Sequence, residues 1–258
     1  MQLGKLVKKA LMISAFFVPA GLAQAACEAP AALTWHTVAK VVDGDTLKLA
    51  DGRSVRLIGL NTPELARQGR SAEPFAEQAR RALQGLLQTS DDEVGLLLGR
   101  DRQDHYGRTL AHGFSRSGAN LEEQLLRDGL GWQVAIAPNT QLAACHLAAE
   151  RTAQQGKRGV WSRPLSAHVQ QAGFQPLLAR VKTVQRNRGG IWLELENGAV
   201  ARIAWAHAKQ AWPSDMQLQA RQWLVKGWWR DRQREVAASG RARWLVDLQH
   251  PSMLREWP

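Results

Sequence analysis

Residues 41–64 constrain the fold more than any other part of the chain. Residues 46–49 and 55–58 are short runs of alternating character that predict two strands, and Asp51-Gly52 between them supplies the positive φ that a tight hairpin turn requires. Pro63 has no amide hydrogen for a strand ladder, so we expect the second strand to end before it. The segment therefore predicts an antiparallel hairpin.

The same hairpin brings several polar groups close together. Residues that face each other across a hairpin are neighbours, so Asp45 and Arg56 can reach one space. Asn61, Thr62 and Glu64 enter that space where the second strand ends. Hard cations such as Ca²⁺ bind oxygen ligands, which Asp45, Asn61 and the backbone carbonyl of Thr62 can supply.

A second polar group follows at Asp104-His105-Tyr106-Gly107-Arg108. Arg108 adds a second guanidinium to that of Arg56, and two such groups hold a phosphate through charge and through paired N–H donors. Taken singly, residues 43–45 are typical of a polar turn and each arginine is typical of a surface ion pair. Only the ordered set as a whole indicates a phosphate site beside a metal ion.

Four motifs in this set resemble those of the staphylococcal nuclease (thermonuclease) family in kind, order and spacing. They are Val42-Asp43-Gly44-Asp45-Thr46, Arg56-Leu57, Thr62-Pro63-Glu64, and Asp104 with Tyr106-Gly107-Arg108. The resemblance covers roughly residues 35–163. It implies a five-stranded oligonucleotide/oligosaccharide-binding (OB) barrel with three helices.

The resemblance also implies a role for each matched residue. The residues that correspond to Ca²⁺ ligands are Asp45, Asn61 and, through its backbone carbonyl, Thr62, with Asp43 in an outer shell. Glu64 corresponds to the general base that takes a proton from the attacking water. Arg56 and Arg108 correspond to the pair that stabilises the phosphorane-like charge. The implied reaction is hydrolysis of phosphodiester bonds in DNA or RNA, which leaves 3′-phosphate ends.

Three features depart from the family's pattern. Asn61 stands where the family has an aspartate, so we expect weaker Ca²⁺ binding because affinity follows ligand charge. Val134 and Ile136 occupy the places where the best-known member has tyrosines that stack on the nucleotide. His105 lies beside Tyr106 where that member has a lysine, so we expect this neutral or half-charged group to hold a terminal phosphate less firmly than the lysine does, and more firmly at acid pH than at neutral pH.

Helix and strand signals predict an α+β fold for residues 27–163. The predicted helices are 73–88, 121–128 and 140–155, and strands are expected at 94–98, 109–114 and 131–135. Pro74 suits the first turn of a helix, Asn120 is a typical N-cap and Gly156 is a typical helix stop. Short strands that are interrupted and followed by helices favour an OB-type barrel.

A second domain is expected beyond a linker at residues 164–174, where the pattern breaks. Five strands are predicted in residues 175–258, at 177–184, 191–195, 199–203, 223–229 and 243–248, with a helix or loop near 204–212. Asn197-Gly198 signals a hairpin turn between the second and third of these strands. Five short strands with one helical piece predict a second, smaller OB-like barrel.

The carboxy-terminal domain is basic and rich in tryptophan. Residues 165–258 contain 14 Lys and Arg against 7 Asp and Glu, and eight of the 11 tryptophans. Indole rings beside arginines form a platform for the bases of single-stranded nucleic acid, and we expect Arg186 and Arg188 to contact its phosphates. Two other interpretations stay open: the tryptophans fill the core of a small β domain, or the positive charge attracts anionic lipid headgroups.

The amino terminus predicts export to the periplasm or the medium. Three lysines precede the apolar run 10–22, and Ala23-Gln24-Ala25 offers a small-residue cleavage site, so residues 1–26 are expected to be a signal peptide. The apolar run is too short to span a membrane. In an oxidising compartment Cys27 and Cys145, the two cysteines of the chain, are expected to form a disulfide.

From the sequence we therefore expect a periplasmic or secreted Ca²⁺-dependent nuclease acting on DNA or RNA, whose carboxy-terminal domain helps to hold nucleic acid. The alternative is a non-catalytic nucleic-acid-binding protein made of two OB-like barrels, in which Asn61 reflects a weakened or lost metal site. The sequence leaves the oligomeric state open.

Overall fold

The computed structural model of the protein describes residues 27–67, 69–236 and 242–257. The predicted signal peptide, residues 1–26, lies outside these ranges. Within them, none of the helices has the length and apolar character needed to cross a membrane.

The amino-terminal part contains seven strands and three helices. The strands are β1 (Thr34–Asp43), β2 (Thr46–Leu49), β3 (Ser54–Leu57), β4 (Leu60–Asn61), β5 (Glu93–Gln103), β6 (Thr109–Phe114) and β7 (Trp132–Gln133). The helices are α1 (Ala76–Gln88), α2 (Leu121–Arg127) and α3 (Ala143–Gln155). Five strands close a barrel in the order β1-β2-β3-β6-β5, with β3 and β6 parallel and the other neighbours antiparallel. The predicted five-stranded barrel with three helices is confirmed.

The hairpin that the sequence predicted is formed by β2 and β3. Leu47 pairs with Val55 and Thr46 with Arg56, and Gly52 in the turn has a φ of +90°. The inward side chains of the two strands are almost fully buried and pack with those of α1 and α2. Because side chains alternate along a strand, this burial turns Arg56 to the other face, away from the apolar core.

Several elements differ from the sequence-based expectation, among them α3, which begins at Ala143 and not at residue 140, and β5, which extends to Gln103. Helix α1 begins at Ala76, three residues later than predicted, because Phe75 has a φ of 73°, which a right-handed helix does not continue through. Residues 131–135 were expected to form a strand of the barrel, but only Trp132 and Gln133 form one, and they pair with β4 instead. Strand β4 ends in Asn61, so this small sheet carries one corner of the candidate site.

The carboxy-terminal part forms a second ring of strands. Its elements are β8 (Gly173–Asn187), β9 (Gly190–Leu195), β10 (Val200–Ile203), α4 (Asp215–Ala220), β11 (Gln222–Asp231), α5 (Gln233–Val236), β12 (Trp244–Asp247) and β13 (Leu254–Glu256). The strands pair in the order β12-β10-β9-β8-β11, and β11 also pairs with β12, which closes the ring. As in the first barrel, the third and last strands of the ring, β10 and β12, are parallel. The OB-like character predicted for this part is therefore confirmed.

The helix of the second barrel lies later than expected. Residues 205–207 form a single 3₁₀ turn, and the α-helix is α4. Ser214 caps α4 through its hydroxyl, which accepts from the Gln217 backbone, while the Gln217 side chain bonds back to the Ser214 backbone. This capping box was a local sequence signal for the true start of the helix.

The tryptophans of the second barrel divide between core and surface. Trp223 and Trp229 are 4% and 1% exposed and belong to the core, whereas Trp205 and Trp228 are 48% and 40% exposed. Trp223 and Trp229 therefore fill the core of the β domain, which was one interpretation of the sequence, whereas Trp205 and Trp228 present indole surface to solvent.

The two barrels pack against each other as well as being joined along the chain. The predicted linker, 164–174, follows a 3₁₀ turn at 159–162, and its last two residues already belong to β8. A buried apolar cluster combines Trp132 and Trp161 of the first barrel with Leu224 of the second. The second barrel is thus attached through a continuous buried interface.

A buried polar cluster fastens α2 and α3 to the first barrel, next to a disulfide that joins Cys27 to Cys145. Asn120 caps α2, donates to Glu122 (2.7 Å) and accepts from His146 Nε2 (2.9 Å). His112 Nδ1 lies 3.1 Å from the Glu122 carboxylate. These four side chains are at most 1% exposed. Burial, together with the neighbouring His112, holds the pKa of His146 well below its usual value.

Protonation of His146 should destabilise the fold at acid pH. An unfolded histidine titrates near pH 6.5, and the folded-state pKa is lower, so the unfolded chain takes up the proton first as the pH falls. The free energy of unfolding should therefore decrease below about pH 6.5, by about 1.4 kcal/mol for each unit of pKa depression. Thermal unfolding between pH 7.5 and 5.5 measures this effect.

The matched variants are His146→Gln, which keeps a donor for Asn120, and His168→Gln in an exposed segment. We expect a flatter pH dependence in the first and an unchanged one in the second. An equally steep dependence in His146→Gln would show that His146 is not the group responsible.

Candidate active site

Arg56 lies at the centre of the candidate site. Its guanidinium forms an ion pair with Asp45 and donates to the Leu60 carbonyl (3.2 Å) and to Asn61 Oδ1 (3.0 Å). Burial and the charge of Arg108 lower the pKa of Arg56 to about 10, so the group remains cationic at neutral pH. The three acceptors fix the orientation of the guanidinium.

Asp45 and Thr62 close the corner beside Arg56. The Thr62 backbone N–H and hydroxyl donate to Asp45 Oδ2 at 3.0 and 3.1 Å, and both residues are at most 5% exposed. Gly44 is required here, because a Cβ at this position would lie 2.7 Å from the Ala79 Cβ and 2.8 Å from the Thr62 hydroxyl. The Asp-Gly-Asp motif is therefore a close-packed corner against α1, and not simply a polar turn.

Asn61 turns its oxygen away from the potential metal position. Its amide oxygen accepts from Arg56, and its amide nitrogen points to the Thr62 carbonyl at 3.5 Å. An amide nitrogen has no free lone pair for a metal ion. An aspartate would offer one oxygen to Arg56 and a second to the ion. The oxygens of Asp45 and of the Thr62 carbonyl fit a hard cation, whereas Asn61 can contribute only by turning its amide at the expense of the bond to Arg56.

Asp43 pairs with an arginine that sequence reasoning did not single out. Its carboxylate accepts from the Gly44 backbone (2.9 Å) and from Arg67 Nη2 (3.0 Å). Arg67 belongs to the loop after Thr62-Pro63-Glu64, and its side chain is 58% exposed. The available signal was a basic residue in a loop that directly follows the acidic corner. Arg67 gives the site a third guanidinium.

Glu64 lies on the exposed rim of this corner. Its backbone N–H donates to the Glu73 carboxylate at 3.0 Å. Partial burial and the charge of Asp43 raise the pKa of Glu64, while Arg67 and Arg56 oppose this increase. The Glu64 carboxylate is therefore close to both the acidic and the basic groups of the site, and it accepts a proton more readily than an ordinary glutamate.

Arg108 approaches the same space from the neighbouring strand. Leu110 of β6 pairs with Arg56, which places Arg108 two residues from that point. Asp104 accepts from the Arg108 backbone (2.9 Å) and from Arg108 Nε (2.7 Å), and within the described residues the two Nη groups have no hydrogen-bond partner. Tyr106 is 74% exposed, with its ring 5.5 Å from the Arg108 guanidinium carbon. His105, also exposed, has its ring 3.7 Å from that of Tyr106.

The structure brings most of the sequence-predicted residues to one corner. The charges of Arg108, Glu64, Asp43 and Asp104 all act on Arg56. Val134 is 4% exposed and Ile136 packs against the core of the second barrel, so neither presents a surface on which a base could stack.

The two arginines predicted to contact phosphates in the second barrel lie elsewhere, at the end of β8. Arg186 donates from both Nη groups to Asp215 at 2.6 and 2.8 Å, so its charge is already balanced. Arg188 is exposed in the turn after β8, and the described part of the chain gives it no ion-pair partner. Of the two, Arg188 is the one that is free for an anion.

Part of the chain is similar to known proteins. The family model described as staphylococcal nuclease homologue matches residues 54–163. The thermonuclease of Staphylococcus hyicus is 29% identical over 130 residues, which cover 49% of this chain and 75% of the relative. The thermonuclease of Staphylococcus intermedius is 30% identical over 131 residues, with 50% and 76% covered. An uncharacterized endonuclease of Escherichia coli is 28% identical over 128 residues, with 48% and 75% covered.

Replacing Asn61 by aspartate should strengthen metal binding. The variant adds a charged oxygen where the structure has an amide nitrogen, while the second oxygen keeps the bond to Arg56. We expect the Ca²⁺ dissociation constant to fall by about tenfold or more, in line with the dependence of Ca²⁺ affinity on ligand charge. Isothermal titration calorimetry measures it, with Asn197→Asp in a distant turn as the control for added charge. An unchanged dissociation constant in Asn61→Asp would contradict this assignment.

Proposed function

The chain belongs to the staphylococcal nuclease family and is a nuclease whose substrate is nucleic acid, and from this we propose that it uses Ca²⁺ to hydrolyse phosphodiester bonds in DNA or RNA, leaving 3′-phosphate ends. The observation that carries the proposal is the convergence of Asp45, Thr62, Glu64 and Arg108 around the buried guanidinium of Arg56. The set supplies oxygen ligands, a proton acceptor and two phosphate-binding cations at one corner.

Arg56 and Arg108 hold the scissile phosphate in this proposal. Arg56 lies on β3 and Arg108 directly precedes the neighbouring parallel strand β6, and each is anchored by an acidic residue, Asp45 or Asp104. Guanidinium groups that are fixed before the substrate arrives stabilise the charge that develops in the transition state without further reorganisation. Bound at Asp45 and the Thr62 carbonyl, with Asp43 nearby, Ca²⁺ would neutralise part of the phosphate charge.

Glu64 acts as the general base. Its carboxylate takes a proton from a water molecule as that water attacks the phosphorus. The bond to the 5′ oxygen breaks, and this oxygen takes up a proton from solvent to leave as a 5′-hydroxyl. Its partly exposed position at the rim leaves room for both water and substrate, and the neighbouring Asp43 favours proton uptake. His105 and Tyr106, exposed beside Arg108, contact the nucleotide that flanks the scissile bond.

We also propose that the protein works in the periplasm or outside the cell. The predicted signal peptide at residues 1–26 supports this, and so does the disulfide between Cys27 and Cys145, because disulfides persist in oxidising compartments.

Cleavage should require both the metal and Glu64. We expect EDTA to abolish cleavage of an end-labelled oligonucleotide, and Glu64→Gln to lower kcat by about 10²- to 10⁴-fold, the usual contribution of a general base. The matched control is Glu77→Gln, which replaces a partly exposed carboxylate of α1 that is paired with Arg80. This variant should retain activity. Fragments should carry 5′-hydroxyl ends that polynucleotide kinase labels without prior phosphatase treatment. Cleavage that persists in EDTA, or at full rate in Glu64→Gln, would contradict the mechanism.

The second barrel helps to hold nucleic acid in this proposal. In OB barrels the second and third strands and the turn before them form the usual oligonucleotide face. Here that region contains Arg188 and two indoles, Trp192 and Trp205, whose N–H groups both donate to Asn187 (2.8 and 2.9 Å). Arg202 stacks over Trp192 at 5.5 Å. Trp205 and Arg188 are exposed here, and exposed indole and guanidinium groups suit stacked bases and phosphates.

Arg188→Ala should flatten the salt dependence of single-stranded DNA binding. Loss of one phosphate contact reduces the slope of log K against log salt by about 0.7. Arg186→Ala is the matched control, because Asp215 already balances its charge. Fluorescence anisotropy in EDTA measures binding without cleavage. Equal slopes for wild type and Arg188→Ala would remove this residue from the interface.

A further inference from the structure

We propose that Lys226 of the second barrel is a positioning residue for the nuclease site of the first barrel. The inference rests on the proposed function, because the corner that Lys226 supports is the proposed metal and phosphate site. It makes the second barrel part of the catalytic structure and not only an accessory surface for nucleic acid.

Lys226 takes part in a fully buried ion pair that crosses the interface between the barrels. It lies on β11, and its Nζ donates to both carboxylate oxygens of Glu150 on α3, at 2.8 and 2.6 Å. Both side chains are 0% exposed. The same Nζ lies 3.5 Å from Gln133 Oε1. Arg255 Nη2 lies 3.5 Å from the same carboxylate, so Glu150 has two cations, whereas Glu150 is the one carboxylate paired with Lys226 among the described residues. Because neither Lys226 nor Glu150 can reach water, Lys226 depends on Glu150 for compensation.

Glu150 connects this ion pair to the strand beside the site. Its Oε1 accepts from the backbone N–H of Gln133 at 2.8 Å. Gln133 belongs to β7 and stands opposite Leu60 of β4, while Trp132 stands opposite Asn61. The Leu60 carbonyl and the Asn61 side chain are two of the acceptors that orient Arg56. Lys226 is therefore linked to Arg56 through the hydrogen bonds of Glu150, the pairing of β7 with β4, and the acceptors at Leu60 and Asn61.

Strand β4 needs this support because it is short. It has two residues, and among the described strands its partner is β7, also of two residues. The outer side of β7 is fixed by the bond from Gln133 to Glu150. If Lys226 were removed, Glu150 would lose two hydrogen bonds and keep Arg255, at 3.5 Å, as its cation, so the buried carboxylate would have to turn toward Arg255 or take up a proton. Either change weakens the hold on Gln133 and on the corner at Asn61.

The interface also contains an apolar contact that serves as a control. Leu224 precedes Lys226 by two residues on β11, so both side chains face the first barrel. Leu224 is 0% exposed and belongs to the cluster with Trp132 and Trp161. Its truncation loosens the interface without touching Glu150.

The experiment compares two uncharged double variants in the full-length protein. Glu150→Gln with Lys226→Met removes both charges and keeps an acceptor for the Gln133 N–H, whereas Glu150→Ala with Lys226→Met removes the acceptor as well. Both leave Arg255 without the Glu150 carboxylate but with the Gln154 side chain as an acceptor (2.8 Å), so any effect of Arg255 is common to the two variants and cancels in the comparison. The readouts are the Ca²⁺ dissociation constant by calorimetry, kcat and KM on an oligonucleotide, and the thermal midpoint.

We expect the Gln/Met variant to stay within about threefold of wild type in Ca²⁺ affinity and kcat. The Ala/Met variant should lose about 10- to 100-fold in both, as supporting partners of metal ligands usually do. Leu224→Ala should lower the thermal midpoint and leave the Ca²⁺ dissociation constant unchanged. An Ala/Met variant with wild-type Ca²⁺ affinity and kcat would overturn the inference alone. A wild type that neither binds Ca²⁺ nor cleaves would overturn the proposed function, and the inference with it.

Discussion

A buried guanidinium is the constraint on which the candidate site depends. The Arg56 side chain is 13% exposed and still carries its charge, so the surrounding chain must supply acceptors for it. Asp45 comes from the turn between β1 and β2, and Leu60 and Asn61 come from β4. The acceptors of Arg56 therefore hold the β2–β3 hairpin against the segment that follows it. The same arrangement brings the Thr62 backbone N–H into hydrogen-bond contact with Asp45. The group proposed to bind phosphate is also the structural centre of the site.

A second buried cation, Lys226, also depends on acceptors supplied by the surrounding chain, at the interface between the barrels. Lys226 and Glu150 form an ion pair that is buried away from water. The Glu150 carboxylate also accepts a hydrogen bond from the Gln133 backbone N–H. The two barrels share one connectivity, with the third and last strands of each ring parallel. They differ in what they carry: the first holds the acidic corner and the second holds exposed tryptophan and arginine. The first barrel, which contains the candidate active site, and the second barrel pack together as one body.

The structural features that the sequence predicted are local ones. The hairpin and its Asp-Gly turn, the Asn120 cap and the two barrels follow from alternation and turn chemistry, which a short window of sequence contains. The remaining features depend on distant partners. Lys226 meets Glu150 across 76 positions, and Arg186 meets Asp215 across 29, and no periodicity links such residues. The orientation of the Asn61 amide follows from Arg56, and so it could be known only once the fold was in hand.

The central claim is that one ion and one phosphate share the corner around Arg56. A crystal structure of the Glu64→Gln variant with Ca²⁺ and a short oligonucleotide tests it most directly. The account predicts an ion about 2.3–2.6 Å from the Asp45 carboxylate and the Thr62 carbonyl, the usual distances for Ca²⁺ to oxygen. It also predicts a backbone phosphate in contact with both Arg56 and Arg108. An ion bound elsewhere, or a phosphate that contacts neither arginine, would contradict it.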